Sequence, residues 1–355
     1  MALVMLTGWL WWSPQPALAH SGNNNLGIPF IQNYDRETYG AGTQNWSIIQ
    51  DSRQLIYVAN NNGLLEYDGS NWTCYPLANR TICRSVAQDE RGRIFAGGQG
   101  EIGFFEPDAS GRLTYHSLLD KIAEPYRQFT DVWQIVVRGQ LVHFRASDRL
   151  YTLQQDTITV ADDQAIRFMG LAGDRLFAQN TAGELLLWDT GGWEVVTQNT
   201  AVSERLITAV LPYRGDTVVF TTLKGGLYRF DGNTAQEWTT SYSNYLKENR
   251  TYCAIPLGEN RYAFGTSRGG LLIAEKSGRL IHRLTKRNDL QNNNILSLQV
   301  DRDGNLWLGL DNGIDFVEVS SPFNRLYPDG ELTGTAYTAL VHDQKIYFGT
   351  NNGLY

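Results

Sequence analysis

The chain's 355 residues suit two ordinary domains or one large all-β unit, and a hydrophobic content of 42 % can fill a sizeable core. Tyr (18), Phe (14), Trp (10) and Gly (35) are plentiful, Met and Cys number three each, and charged residues make up 19 %; this is the composition of strands and turns, not of helices or disordered tails. With 37 acidic against 30 basic residues, a net charge of −7 and no Lys/Arg cluster, the sequence argues against nucleic acid as a direct partner.

Residues 1–19, MALVMLTGWLWWSPQPALA, carry no charge; an apolar stretch through Trp12 leads to Pro14, Pro16 and the small-x-small run Ala17-Leu18-Ala19. That pattern predicts a signal peptide cut after Ala19 and an exported chain. The Lys or Arg that normally leads such a segment is missing, so the true start is expected upstream. No other stretch reaches the roughly eighteen apolar residues of a membrane span. Cys74, Cys83 and Cys253 are odd in number and lack CxxC spacing, which gives neither a zinc site nor a disulfide framework; pairing of Cys74 with Cys83 across neighbouring strands is the one bridge left open.

From Trp46 onward a unit recurs: an apolar strand, a polar turn, a second strand ending in a small residue, a tight Gly- or Asn-rich turn, and a third strand. Clear copies start at Trp46, Arg84, Ile207, Tyr252 and Ile295, weaker ones at Asp131 and Phe168, and a last one at Ala336 runs to the final residue. The column before the tight turn reads Ala59, Gly97, Arg145, Gln179, Thr221, Gly265, Gly309 and Gly349, a mean spacing of about 41 residues. Short apolar or alternating runs at that period predict β-propeller blades of four antiparallel strands and exclude a helical solenoid. The segment from Ile28 (IPFIQNYDRETYGAGTQNW) is partly echoed from Ser321 (SPFNRLYPDGELTGTAY). Residues 28–320 are therefore expected to form an all-β, seven-bladed propeller closed by a strand near Phe30, with residues 321–355 starting a second, truncated propeller. An eight-bladed single ring is the rival.

In such a ring the first strand of each blade starts beside the axis on the face that the turn between its second and third strands also reaches. The strand starts bring Asn45, Trp46, Arg84, Asp131, Trp133, Arg167 and Tyr252 to this funnel, and the turns bring Gln99, Glu101 and Arg268. Arg145 breaks the small-residue column and joins the candidate ligand-binding set, with local pairing to Asp131 or Asp148 as the alternative to pointing into the channel. Aromatic faces beside amide and charged groups suit an oligosaccharide or other small polar ligand; packing between blades is the competing use of the aromatics. Asp51, Asp89 and Asp301 lack the dense alternating donors of a calcium loop and read as turn formers.

The repeat resembles the two-component-regulator propeller family, whose blades read like DxxGNLWxGTxxGLxxYD. VDRDGNLWLGLDNGIDFVEV from Val300 is the nearest copy, and NNGLLEYDG from Asn61 and FGTNNGLY from Phe348 match its second half, whereas the third and fourth copies depart from it. The resemblance implies the extracytoplasmic sensor of a transmembrane regulator: two propellers in succession, a triple-tyrosine domain, a membrane helix and a histidine-kinase or helix-turn-helix output. Membrane anchoring would come through segments downstream of this sequence. On that footing the chain is expected to be a periplasmic, non-catalytic binding module without cofactor or metal, its oligomeric state open, a homodimer included. A protein-interaction propeller is the alternative. A propeller lyase or hydrolase ranks below it, because no HExxH, GxSxG or GxGxxG motif is present and the five histidines are scattered.

Overall fold

Short β-branched and aromatic runs, each ended by a Gly, Asn or Asp turn, fold into hairpins throughout the computed structural model, which describes residues 27–161, 165–189, 191–197, 201–325, 335–343 and 345–354. The candidate signal peptide lies outside these residues. Seven four-stranded antiparallel sheets follow one another as up-and-down meanders, so the all-β, seven-bladed expectation holds and the eight-bladed rival fails. Their first strands are Asn45–Gln50, Cys83–Gln88, Val132–Arg138, Ile166–Ala172, Ile207–Pro212, Thr251–Leu257 and Ile295–Val300, and we number the blades 1 to 7 in that order. Each first strand touches those of the two neighbouring blades, and the seventh touches the first, which closes the ring.

Blade 7 takes only three strands from its own stretch of chain. Its outer strand is Phe30–Tyr34, paired antiparallel with Ile314–Glu318 from Phe30 opposite Glu318 to Tyr34 opposite Ile314. Asn33 donates to the buried Asp315 (2.7 Å), which also accepts from the backbone and side-chain nitrogens of Gln291. Burial raises the Asp315 carboxyl above its usual range although these bonds oppose the shift. Tyr34 stacks on Trp307 at 5.6 Å, inside an aromatic cluster that bonds blade 7 to blade 1.

Each junction between adjacent blades holds its own apolar cluster, and the cluster between blades 3 and 4 is the leanest: Leu150, Ile166, Met169, Leu176, Ala178 and Leu186. The turn chemistry is as expected. Gly63 and Gly313 sit at φ 133° and 100°, where a side chain would be strained. Asp51, Asp89 and Asp301 each accept from backbone amides two and four residues on. Cys74 and Cys83 are free thiols, so the bridge left open by the sequence does not form. A separate three-stranded sheet, Ala336–His342, Lys345–Thr350 and Gly353–Leu354, repeats the order of the first three strands of a blade. Among the described residues no helix is long and apolar enough to cross a membrane.

Candidate functional site

Every first strand begins with the same irregularity. In blade 1, Asn45 and Ser47 face the consecutive residues Asn60 and Ala59, so Trp46 is left unpaired; the step recurs at the same place in all seven blades. A bulge of this kind adds one unpaired residue and re-aims its side chain. The residues skipped are Trp46, Arg84, Trp133, Arg167, Thr208, Tyr252 and Leu296, and all seven line one cavity of about 310 Å³. Since each blade contributes one, the cavity lies on the ring axis. Ser47, Gln134, Arg145, Phe168 and Cys253 add to its wall.

The aromatics hold a cation in place. The Arg84 guanidinium carbon lies 4.1 Å from the centre of the Trp46 ring and 4.8 Å from that of Trp133, and these two rings meet edge-on at 6.0 Å. Arg84 Nε donates to Asp131 (2.8 Å), Trp46 Nε1 to Asn61 (2.8 Å) and Trp133 Nε1 to Ser147 (3.1 Å), so three blades fix the group. Arg84 Nη1 is buried without a hydrogen-bond partner. The two tryptophans thus pack across blades against Arg84 and each other and also line the cavity.

Arg145 corrects the sequence reading. It pairs with neither Asp131, which is engaged by Arg84, nor Asp148, which is engaged by Arg149; its Nε donates instead to Gln134 Oε1 (2.7 Å) and its Nη1 to the Ile166 carbonyl (3.5 Å). Burial without a carboxylate brings its guanidinium down to about 10. Burial likewise raises the Tyr252 hydroxyl, although Arg84 and Arg145 pull it the other way.

Five sequence candidates are not among the residues that line the cavity. Asn45 is fully buried, donating to the carbonyls of Thr43 and Gly313 and accepting from Asn60, and so it ties blade 1 to blade 7. Glu101 is buried between the third and fourth strands of blade 2, accepting from Tyr115 (3.1 Å) and Ser117 (2.7 Å), with its carboxyl raised by burial. Gln99 is exposed and bridges Asp131 through its backbone, and Arg268 is exposed on a turn of blade 6. Asp131 touches the site through Arg84. Sequence reasoning missed Thr208 and Leu296, which are chemically ordinary. Their signal is positional: each bulge residue stands twelve or thirteen places before its blade's column residue.

A wider hollow of about 730 Å³ beside the turns of blades 1 and 7 is lined by Asp35, Arg36, Glu37 and Gln291 among others. Its polar groups serve the loop itself: Asp35 accepts from the Thr38 amide and hydroxyl, Arg36 donates to the Ala41 carbonyl and Gln291 to Asp315.

Residues 289–312, which include the first two strands of blade 7, match the two component regulator propeller family, and the resemblance read from the sequence holds there. No curated protein matches the chain. The fold is shared with the extracellular domain of the one component system BT4673 from B. thetaiotaomicron (TM-score 0.65, 20 % identity, covering 91 % of this chain and 45 % of that one). It is also shared with virginiamycin B lyase from Staphylococcus aureus (0.64, 12 %, 82 % and 99 %) and with YCF48 bound to D1 peptide (0.62, 12 %, 82 % and 99 %). The chain thus spans about half the length of the BT4673 domain, and at these identities the likeness is one of fold.

Proposed function

We propose that this chain is a non-catalytic sensing propeller, part of the extracytoplasmic region of a membrane-anchored regulator, and that it binds a small polar ligand in the axial cavity. The observation that carries this reading is the ring of seven bulge residues: one irregularity repeated in every blade aims indole, guanidinium, hydroxyl and phenol groups at one volume. That volume sits at the small end of the roughly 300–1,000 Å³ of ligand sites, a fit for a monosaccharide-sized molecule. The regulator repeat in blade 7 and the extracellular placement of BT4673 support the compartment and the signalling role.

The composition of the wall favours binding over catalysis. Among the described residues no histidine and no carboxylate lines the cavity, and Asp131, which reaches its edge, is held by Arg84. Acid–base cleavage needs a group that exchanges a proton with the substrate, and the wall's Tyr252 and Cys253 are both pushed toward their neutral forms by burial.

A thermal-shift panel of monosaccharides, disaccharides, amino acids and organic acids on the full chain tests the reading. A ligand present at a hundred times its Kd stabilises the fold by about 2.7 kcal/mol. Thr208→Trp, which fills the cavity from blade 5, should abolish the shift. A panel without any shift, combined with capture of a peptide or protein by the same face, would hand the function to the partner-recognition alternative.

A further inference from the structure

Among the described residues the wall of the axial cavity holds three guanidinium groups, Arg84, Arg145 and Arg167, and no Asp or Glu. Their charges are unevenly met. Arg84 has Asp131, yet its Nη1 is buried and bonded to nothing. Arg145 has only a neutral amide oxygen and a backbone carbonyl. Arg167 is exposed and makes no ion pair among the described residues. A half-buried cation without a counter-charge is costly, and a fold keeps such an arrangement cheaply only if something negative completes it.

We infer that the ligand carries an oxyanion, a carboxylate or a phosphate, seated between Arg84, Arg145 and Arg167. This deepens the sensing role proposed above and rests on it. The planar guanidinium fork matches both oxyanions through paired N–H···O bonds, and the two tryptophans hold the Arg84 fork rigid before a ligand arrives. The lowered Arg145 pKa has the same origin, a positive charge desolvated without a partner. The chain as a whole carries −7, so its far field repels anions; the local positive ring acts only within a screening length of about 8–10 Å, which selects small ligands that enter the mouth over polyanions that must lie across the surface.

Isothermal titration of the full chain with glucuronate, glucose and inorganic phosphate at fixed ionic strength decides the matter, repeated with Arg145→Gln, Arg167→Gln and the off-cavity Arg268→Gln. Glucuronate or phosphate should bind at least tenfold more tightly than glucose, and the first two substitutions should each weaken the anion about tenfold while the third leaves it unchanged. Phosphate binding alone assigns a phosphorylated ligand and glucuronate alone a sugar acid. Should Arg145→Gln fail to fold, Arg167→Gln, which removes an exposed group, carries the test. Glucose binding as well as glucuronate would overturn the anionic assignment and leave the sensing role standing. Anion binding that ignores both substitutions would overturn the site, and binding of none of the three probes would overturn the anionic assignment while leaving the small-ligand reading to the wider thermal-shift panel.

Discussion

Two stretches of the same ring solve the same packing problem in opposite ways. In blades 1, 2, 6 and 7 the second strand places the small residue Ala59, Gly97, Gly265 or Gly309 in the column, and at the three glycines the first strand of the neighbouring blade packs directly against the bare backbone. A Cβ at Gly97 would lie 2.5 Å from Val132 Cγ1, and one at Gly265 2.7 Å from Ile295 Cγ2. Blades 3 and 4 carry Arg145 and Gln179 in that column. Gln134 reaches over to bond both the amide and the carbonyl of Met169, and Gln179 bonds the carbonyls of Val202 and Arg205 and the amide of Ile207. Side-chain bridges replace close approach there, and the apolar cluster beneath is the smallest of the ring. The comparison teaches that a β-ring tolerates polar chemistry at its axis wherever hydrogen bonds can do the work of contact; all seven blades line the cavity, and of the two polar column residues Arg145 reaches its wall whereas Gln179 does not.

The largest effect should come from forcing a side chain into the close-packed part. Gly309→Val places atoms against Ser297 Oγ and the Asn45 carbonyl, and a loss of about 3 kcal/mol is expected in urea unfolding. Next comes acid acting on the bridged part. His143 of blade 3 is fully buried beside Trp188 and Trp193 of blade 4, and burial, helped by the Arg138 charge, holds its imidazole down at about 4. Between that value and the unfolded one near 6.5 the unfolded chain binds more protons, so stability is full above about pH 6.5 and falls by roughly 2–3 kcal/mol on descent to pH 4. A His143→Phe variant should lose that dependence in denaturant midpoints measured across pH.

Gln179→Ala leaves one buried amide and two carbonyls without their partner and should cost about 2 kcal/mol, read as a lowered Tm. Smallest is Arg145→Met. It loses a bond to Gln134 but also relieves a desolvated charge, so its stability should stay within about 1 kcal/mol of the parent. If Gly309→Val proved as mild as Arg145→Met, the two halves of the ring would not differ in the way their geometry indicates.

The period of the repeat, the blade count and the closing strand were legible because a four-stranded meander leaves its turn residues and small-residue column in the sequence. The site was legible in part. Trp46, Arg84, Trp133, Arg167 and Tyr252 stand out chemically, and the bulge that unites them with Thr208 and Leu296 shows only in the pairing register. Asn45 and Glu101 were drawn to the funnel because a polar residue at a strand start can serve either solvent or a buried bond, and hydrogen-bond partners 14 to 268 residues away decide which. Blades 3 and 4, the weakest copies of the repeat, are weak for a physical reason: their column gave up small residues for bridging ones.

The strand Phe30–Tyr34, which completes blade 7, also dictates an order of events. Its partner Ile314–Glu318 lies at the far end of the ring's sequence, so the contact that closes the circle is the one with the largest chain entropy to overcome. Six blades can stack as each is made, but until that strand docks the molecule is an open arc with two raw ends, vulnerable to pairing with another chain. The contact that completes the circle is made by the earliest strand among the described residues.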